Sequence, residues 1–111
     1  MNSMGRHCLL NVYGCKFELL DNQDFIVHIL KKAAKSCGAN ILNIAAHKFE
    51  PQGITAVLLL SESHISVHTY PEKGSAVFDI FTCGDADSTL GVQLILQQIN
   101  CQYHTLIDIR R

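Results

Sequence analysis

Two segments of the chain place hydrophobic residues at the spacing of a helix that is buried on one side. In Asp21–Cys37 these positions recur every three or four residues, acidic side chains stand in the first turn, and Gly38 follows the end. A second segment starts near Asp87 or Ser88, either of which can cap a helix, and runs to about Asn100. The hydrophobic positions are Phe25, Ile26, Ile29, Leu30, Ala33, Ala34 and Cys37 in the first segment and Leu90, Leu94, Ile95 and Ile99 in the second. The pattern therefore predicts two amphipathic helices.

Six further segments have the length and residue types of β-strands. In one of them, Ile41–Phe49, alternation places Leu42 and Ile44 on one face and Phe49 on the other. The six predicted strands are His7–Cys15, Ile41–Phe49, Ile54–Leu60, His64–Tyr70, Ser75–Cys83 and Tyr103–Ile109.

The order of these elements, β-α-β-β-β-β-α-β, predicts an α+β fold. We expect a two-layer sandwich in which a largely antiparallel sheet carries two helices on one face. The opposite face mixes apolar and polar side chains. We therefore expect a second subunit or a ligand to cover part of it.

The composition is typical of one folded domain. The chain has 111 residues, of which 48% are hydrophobic and 17% charged, so we expect a single domain over residues 1–111. Nine basic and ten acidic residues give a net charge of −1, which argues against a basic surface that binds nucleic acid. No apolar run approaches the roughly 20 residues of a membrane span, and the first residues lack a signal-peptide pattern. These features predict a soluble, cytoplasmic protein without a membrane partner.

The cysteines and histidines predict neither disulfides nor a metal site. The five cysteines are odd in number and form no CxxC pair, so we interpret them as small buried hydrophobes in a reducing compartment. His64 and His68 share one face of a strand with Ser66, but no third metal ligand stands near them in the sequence. The pattern fits two alternatives, a polar stripe that faces solvent and a cluster of functional residues.

A resemblance to a known enzyme family is concentrated between Leu60 and Glu72. This segment, LSESHISVHTYPE, is similar to the processing-site sequence of the small prokaryotic S-adenosylmethionine decarboxylases. Three further segments are similar to the same family and occur in the same order: VYGC at 12–15, HKF at 47–49 followed by PQG at 51–53, and DIFTCGD at 79–85. The resemblance extends over about residues 5–109, and on it the chain is identified as a member of that family.

The resemblance implies a proenzyme that cleaves its own chain. The break would fall between Glu62 and Ser63 and leave a β chain of residues 1–62 and an α chain of residues 63–111. Ser63 would become a covalent pyruvoyl group, which forms a Schiff base with S-adenosylmethionine and accepts the electrons released as CO₂ departs. The enzyme would need neither a metal nor pyridoxal phosphate and would act as an (αβ)₂ homodimer. Its product, decarboxylated S-adenosylmethionine, would serve spermidine biosynthesis.

Five further residues match positions with known roles in the family. His68 matches the base of the processing reaction, and Thr55 matches a residue, more often serine, whose hydroxyl assists processing. Cys83 matches the acid that protonates the product carbon. Phe49 matches an aromatic residue that stacks on adenine, and Glu72 matches a carboxylate that binds the ribose hydroxyls.

Two departures from the family pattern leave other functions open. Asn11 stands where relatives often carry an acidic residue, and residues 87–90 replace a segment that often contains a Pro-Trp pair. One alternative is a pyruvoyl-dependent arginine or ornithine decarboxylase of the same superfamily. Another is a non-catalytic relative that binds nucleosides or pairs with an active enzyme.

Overall fold

The structure, a computed structural model, describes residues 4–111, and the predicted order of the long elements is confirmed. The helices are α1 (Phe17–Leu20), α2 (Gln23–Cys37) and α3 (Ser88–Ile99), and a turn of 3-10 helix, Pro71–Lys73, follows the fourth strand. None of the helices in these residues is long and apolar enough to cross a membrane. The strands are β1 (Arg6–Tyr13), β2 (Ile41–Lys48), β3 (Ile54–Leu60), β4 (Ser63–Tyr70), β5 (Ser75–Thr82) and β6 (Tyr103–Arg110).

The six strands form one antiparallel sheet in the order β2-β3-β4-β5-β1-β6. Strands β2 to β5 are joined by short connections and lie side by side, as consecutive antiparallel strands usually do. Strand β1 lies between β5 and β6, because α2 carries the chain from β1 across the sheet to the edge strand β2. The predicted α+β sandwich is confirmed.

Helices α2 and α3 cover one face of the sheet and enclose the hydrophobic core. Helix α2 packs along β2 and β3, whereas α3 packs along β1 and β5. Every second residue of β1, β3, β4 and β5 is buried, as a strand with one face on a core requires. The largest fully buried side chains include Leu10, Leu58, Ile65, Phe78 and Ile80 from the strands and Ile26, Ile29, Leu30 and Ile95 from the helices.

The cysteines are all free thiols, and three of them belong to the core. Cys8, Cys15 and Cys37 are buried, and burial raises the pKa of Cys15 and of Cys37 to about 11. These two side chains therefore stay protonated and behave as the predicted small hydrophobes. Cys83 and Cys101 are partly exposed.

Helix α2 begins later than the sequence predicted, because a different residue caps it. Asn22 takes the N-cap position, where its Oδ1 accepts a hydrogen bond of 3.1 Å from the Phe25 N–H. The Asp21 carboxylate accepts instead from the Gly53 N–H at 2.9 Å and from Lys48 Nζ at 3.2 Å. The acidic residue that the sequence placed at the start of the helix thus fixes the connection between β2 and β3.

Two hydrophobic residues depart from their predicted faces. Leu42 is 63% exposed, because the pairing of β2 with β3 shifts by one residue between Ile41 and Asn43 and takes Leu42 out of alternation. Leu90 is 43% exposed, because α3, capped by Asp87, turns a different stripe toward the core. That stripe consists of Ser88, Gly91, Val92, Ile95 and Ile99.

Gly91 lies where α3 meets α2, and a larger residue there should destabilise the fold. A Cβ at this position would be 2.7 Å from Cys37 Sγ and 3.2 Å from Ile80 Cδ1. The gain in helix propensity from Gly to Ala is about 0.5–1 kcal/mol, whereas overpacking a core costs about 1–3 kcal/mol. We expect Gly91→Ala to lower the free energy of unfolding in urea by about 1–2 kcal/mol. The cost should be smaller in a Cys37→Ala background, and a Gly91→Ala protein as stable as the wild type would contradict the packing argument.

Candidate active site

A tight turn, Ser61–Glu62, joins β3 to β4 at one end of the sheet. Leu60 and Ser63 pair across it at the ends of the two strands. Glu62 has a φ of 59°, in the left-handed region that residues with a Cβ seldom occupy. Holding such a residue there costs about 1–2 kcal/mol. The residue on the carbonyl side of the predicted cleavage point therefore has a strained backbone.

Ser63 is the first residue of β4 and is only 7% exposed. Its Oγ accepts a hydrogen bond of 3.3 Å from the backbone N–H of Cys83. Strand β5 ends at Thr82, so Cys83 begins the following loop, and it is partly exposed. The structure thus brings Ser63 and Cys83 together and fixes the position of the serine hydroxyl.

The other predicted site residues lie at the opposite end of the same strands. His68 of β4 pairs with Thr55 of β3, and its Nδ1 is 2.8 Å from Thr55 Oγ1. Phe49 directly follows β2, is 46% exposed, and packs edge-on against His47 with 4.6 Å between ring centroids. Glu72 is exposed in the 3-10 turn after β4.

Ser63 and His68 do not meet within one chain. They are five residues apart on β4, which separates them by about 16 Å at about 3.3 Å per residue. An odd separation also directs the two side chains to opposite faces of the strand. The seven predicted residues therefore form two groups. These are the cleavage group, Glu62, Ser63 and Cys83, and the His68 group, Phe49, Thr55, His68 and Glu72.

The face of the sheet away from the helices, called here the open face, carries apolar and polar side chains, as predicted. A cavity of about 270 Å³ on this face is lined in part by His68 and Asn11. The Asn11 Nδ2 donates a hydrogen bond of 3.3 Å to the Tyr13 hydroxyl. The exposed hydrophobic side chains on the open face include Val57, Leu59, Tyr70, Tyr103, Ile107 and Ile109.

A hydrogen-bonded cluster around Asp79 occupies the middle of the open face. The carboxylate accepts from Ser66 Oγ at 3.1 Å and lies 3.2 Å from Nε2 of His64. Its other oxygen contacts Nε2 of His7. Partial burial raises the pKa of Asp79, but the hydrogen bonds from His7, His64 and Ser66 outweigh burial and hold the pKa below its ordinary value. The carboxylate is therefore ionised at neutral pH.

Comparison with known proteins gives matches over almost the whole chain. Residues 6–111 match a family model described as S-adenosylmethionine decarboxylase. The chain belongs to this family. It is 43% identical over 112 residues to the S-adenosylmethionine decarboxylase proenzyme of Clostridium kluyveri, a match that covers all of this chain and 89% of that relative. It is 40% identical over 111 residues to the S-adenosylmethionine decarboxylase proenzyme of Geobacillus kaustophilus, a match that covers all of this chain and 90% of that relative. The crystal structure of the adenosylmethionine decarboxylase from Aquifex aeolicus VF5 has a TM-score of 0.92 and 31% identity, covering 100% of this chain and 92% of that one.

Membership of the S-adenosylmethionine decarboxylase family confirms the predicted enzyme class. The chain is a carboxy-lyase that is made as a proenzyme. The match favours this function over both alternatives, an arginine or ornithine decarboxylase and a non-catalytic relative. The roles of individual residues in this S-adenosylmethionine decarboxylase stay predictions.

The sequence did not predict the Asp79 cluster of this S-adenosylmethionine decarboxylase. His7 and Asp79 are 72 residues apart and meet only because β1 lies beside β5. The spacing of the sequence pairs His64 with His68, whereas the side chain that His64 contacts on the open face is Asp79. A charged residue within the hydrophobic run VFDIF is a signal that could have marked Asp79.

Proposed function

We propose that the chain breaks between Glu62 and Ser63 and that the mature enzyme uses a pyruvoyl group derived from Ser63 to decarboxylate S-adenosylmethionine. One observation carries the proposal: the Cys83 N–H holds the hydroxyl of Ser63 directly after the strained residue Glu62. The two fragments would have 62 and 111 − 62 = 49 residues. We place the enzyme in the cytoplasm, where its five free cysteines stay reduced.

The cleavage needs a nucleophile, a base and one water molecule. Ser63 Oγ attacks the Glu62 carbonyl carbon, and the acyl group moves from nitrogen to oxygen, which converts the amide into an ester and frees the Ser63 nitrogen as an amine. A base then removes the Ser63 Cα proton, and breakage of the Cβ–Oγ bond expels Glu62 as a carboxylate. The remaining dehydroalanine takes up water, releases ammonia and leaves the pyruvoyl group. Strain at Glu62 favours the first step, because it raises the free energy of the intact turn.

The base comes from a second copy of the chain. His68 lies about 16 Å from Ser63 in its own chain and on the opposite face of β4. A general base must come within hydrogen-bond reach of the proton that it removes. The exposed hydrophobic residues of the open face provide a surface that a partner can cover. In such a homodimer the His68 group of one copy completes the cleavage group of the other.

The remaining site residues act on the substrate. The thiol of Cys83, the residue whose backbone N–H contacts Ser63, protonates the carbon that has lost CO₂. Phe49 presents an exposed ring on which adenine stacks, and Glu72 accepts hydrogen bonds from the ribose hydroxyls. Thr55 holds Nδ1 of His68, which leaves Nε2 free for proton transfer. The pyruvoyl group supplies the electron sink for loss of CO₂.

Replacing Cys83 should separate cleavage from turnover. The contact of Cys83 with Ser63 comes from its backbone N–H, which alanine retains, so we expect Cys83→Ala to be cleaved as the wild type is. Loss of a general acid typically costs a factor of about 10²–10⁴ in rate, and we expect such a loss in CO₂ release. Mass spectrometry under denaturing conditions measures cleavage. Cys101→Ala, which removes the other partly exposed thiol, is the control, and full activity of Cys83→Ala would exclude the thiol as proton donor.

The substrate is tested by CO₂ release from the cleaved enzyme. S-adenosylmethionine, arginine and ornithine, each labelled in the carboxyl carbon, are offered separately at equal concentration. We expect labelled CO₂ only from S-adenosylmethionine. Release from arginine or ornithine alone would overturn the proposed substrate but not the proposed cleavage, which mass spectrometry establishes on the same sample.

A further inference from the structure

Three potential metal ligands from three strands meet at the centre of the open face. His7 of β1, His64 of β4 and Asp79 of β5 each offer one ligand atom, and the three atoms lie within 4.8 Å of one another. The arrangement follows from the sheet, in which β5 lies between β1 and β4. His7 and His64 both pair with the same residue of β5, Phe81, and Asp79 is the next β5 residue on that face.

We propose that His7, His64 and Asp79 bind a divalent transition-metal ion such as Zn²⁺. Two imidazole nitrogens and one carboxylate oxygen are a common set of three protein ligands for zinc, with water in the fourth position. Ligand bonds of about 2.0–2.2 Å in a tetrahedron place neighbouring ligand atoms about 3.4 Å apart. His64 Nε2 and Asp79 Oδ2 are already 3.2 Å apart. The remaining ligand atoms lie within 4.8 Å of each other, so each of these distances needs to change by less than about 1.5 Å to complete the site.

Neighbouring side chains hold the ligands in place. Ser66 Oγ donates to Asp79 Oδ2 at 3.1 Å, and the Phe81 ring packs against His7 and His64 with 5.6 and 5.9 Å between ring centroids. Such outer partners orient the ligands of metal sites. Two features oppose binding. The hydrogen bonds that Nε2 of His7 and Nε2 of His64 make with Asp79 must be given up. Arg111 Nη1 also lies 3.4 Å from His7 Nδ1, which must carry the proton when Nε2 binds a metal. Arg111 directly follows β6, and its exposed guanidinium lies over the Phe81 ring with 5.4 Å from Cζ to the ring centroid. Metal binding therefore requires this guanidinium to move away from Nδ1.

The ion would join the two halves of the cleaved enzyme. His7 belongs to the fragment 1–62, whereas His64 and Asp79 belong to the fragment 63–111. This consequence rests on the proposed cleavage, but metal binding itself does not, because all three ligands lie in the same sheet whether or not the chain is cut. The uncleaved Ser63→Ala chain should therefore bind the ion as well.

The test is titration of the metal-free full chain with Co²⁺ and with Zn²⁺. We expect one ion per chain, visible absorption bands of tetrahedral Co²⁺, and no charge-transfer band from a thiolate. His7→Gln and His64→Gln each remove a ligand and should lower the Zn²⁺ affinity at least about 100-fold. Ser66→Ala removes only an outer partner of the ligand Asp79 and should lower the affinity by less, since loss of an outer partner typically costs about 10–100-fold. His28→Gln, an exposed histidine on α2, is the control and should bind as the wild type does.

Three results would overturn the site. The first is no binding of either ion by the folded wild-type chain, which would mean that the cluster is held by hydrogen bonds alone. The second is equal affinity in the wild type and in the His7→Gln and His64→Gln proteins. The third is a Co²⁺–thiolate band, which would place the ion at a cysteine. The first and third results are read from the wild-type chain and do not depend on whether a variant folds.

Discussion

The Ser63→Ala protein is expected to remain a single chain of about 12.3 kDa and to release no CO₂ from S-adenosylmethionine. The substitution removes the only nucleophile that the proposed rearrangement uses, so neither the ester nor the pyruvoyl group can form. The loss should therefore be complete, in contrast to the partial loss expected at Cys83. The fold should survive, because the Ser63 side chain accepts one hydrogen bond, worth about 0.5–1.5 kcal/mol.

The matched control is Ser61→Ala in the same turn. Ser61 is exposed, and its backbone N–H donates to the Asn40 carbonyl, a contact that alanine keeps. We expect this variant to be cleaved completely and to keep its activity. Denaturing mass spectrometry distinguishes the two proteins, since the control gives fragments of 62 and 49 residues and Ser63→Ala gives none. Fragments from Ser63→Ala, or an intact wild-type chain, would refute cleavage at this serine.

The local pattern of the sequence was sufficient for the elements but not for their arrangement. The periodicity of Asp21–Cys37 and the alternation in the strands depend on near neighbours, which the sequence displays directly. The position of β1 between β5 and β6 depends on pairing across the whole chain, and it is this pairing that brings His7 to Asp79. The exposure of Leu42 depends on a β-bulge, in which one extra residue in β2 shifts its pairing with β3, and the local sequence pattern does not show this shift.

The sequence named the residues of the candidate site, whose roles stay predictions, but it did not give their geometry. The resemblance supplied all seven side chains, from Phe49 to Cys83, because the family motifs name residue types and spacings. Their division into two groups was also implicit in the sequence, since Ser63 and His68 are an odd number of positions apart on a single strand. The strain at Glu62 was not predictable, because φ depends on how the turn closes between β3 and β4.

Two variants that are inactive alone should restore cleavage when they are produced together. The Ser63→Ala chain keeps His68 but has no nucleophile, whereas the His68→Ala chain keeps Ser63 but has no base. If the base acts across the dimer, a mixed dimer contains one site with both residues and one site with neither. Random pairing makes roughly half of all dimers mixed, so roughly half of the His68→Ala chains should be cleaved. All Ser63→Ala chains should stay intact.

Different affinity tags on the two chains identify which one is cut, and capture through both tags establishes that mixed dimers have formed. The control is co-production of His68→Ala with a Ser63→Ala/His68→Ala double variant, which pairs in the same way but brings no base, so cleavage should not return. Mixed dimers without any cleavage of the His68→Ala chain would contradict a shared site. Cleavage of His68→Ala alone would exclude His68 as the essential base. Ser63 and His68 of one chain are about 16 Å apart on opposite faces of β4. If both residues act on the same peptide bond, they must therefore come from different chains, and the mixed dimer should restore cleavage.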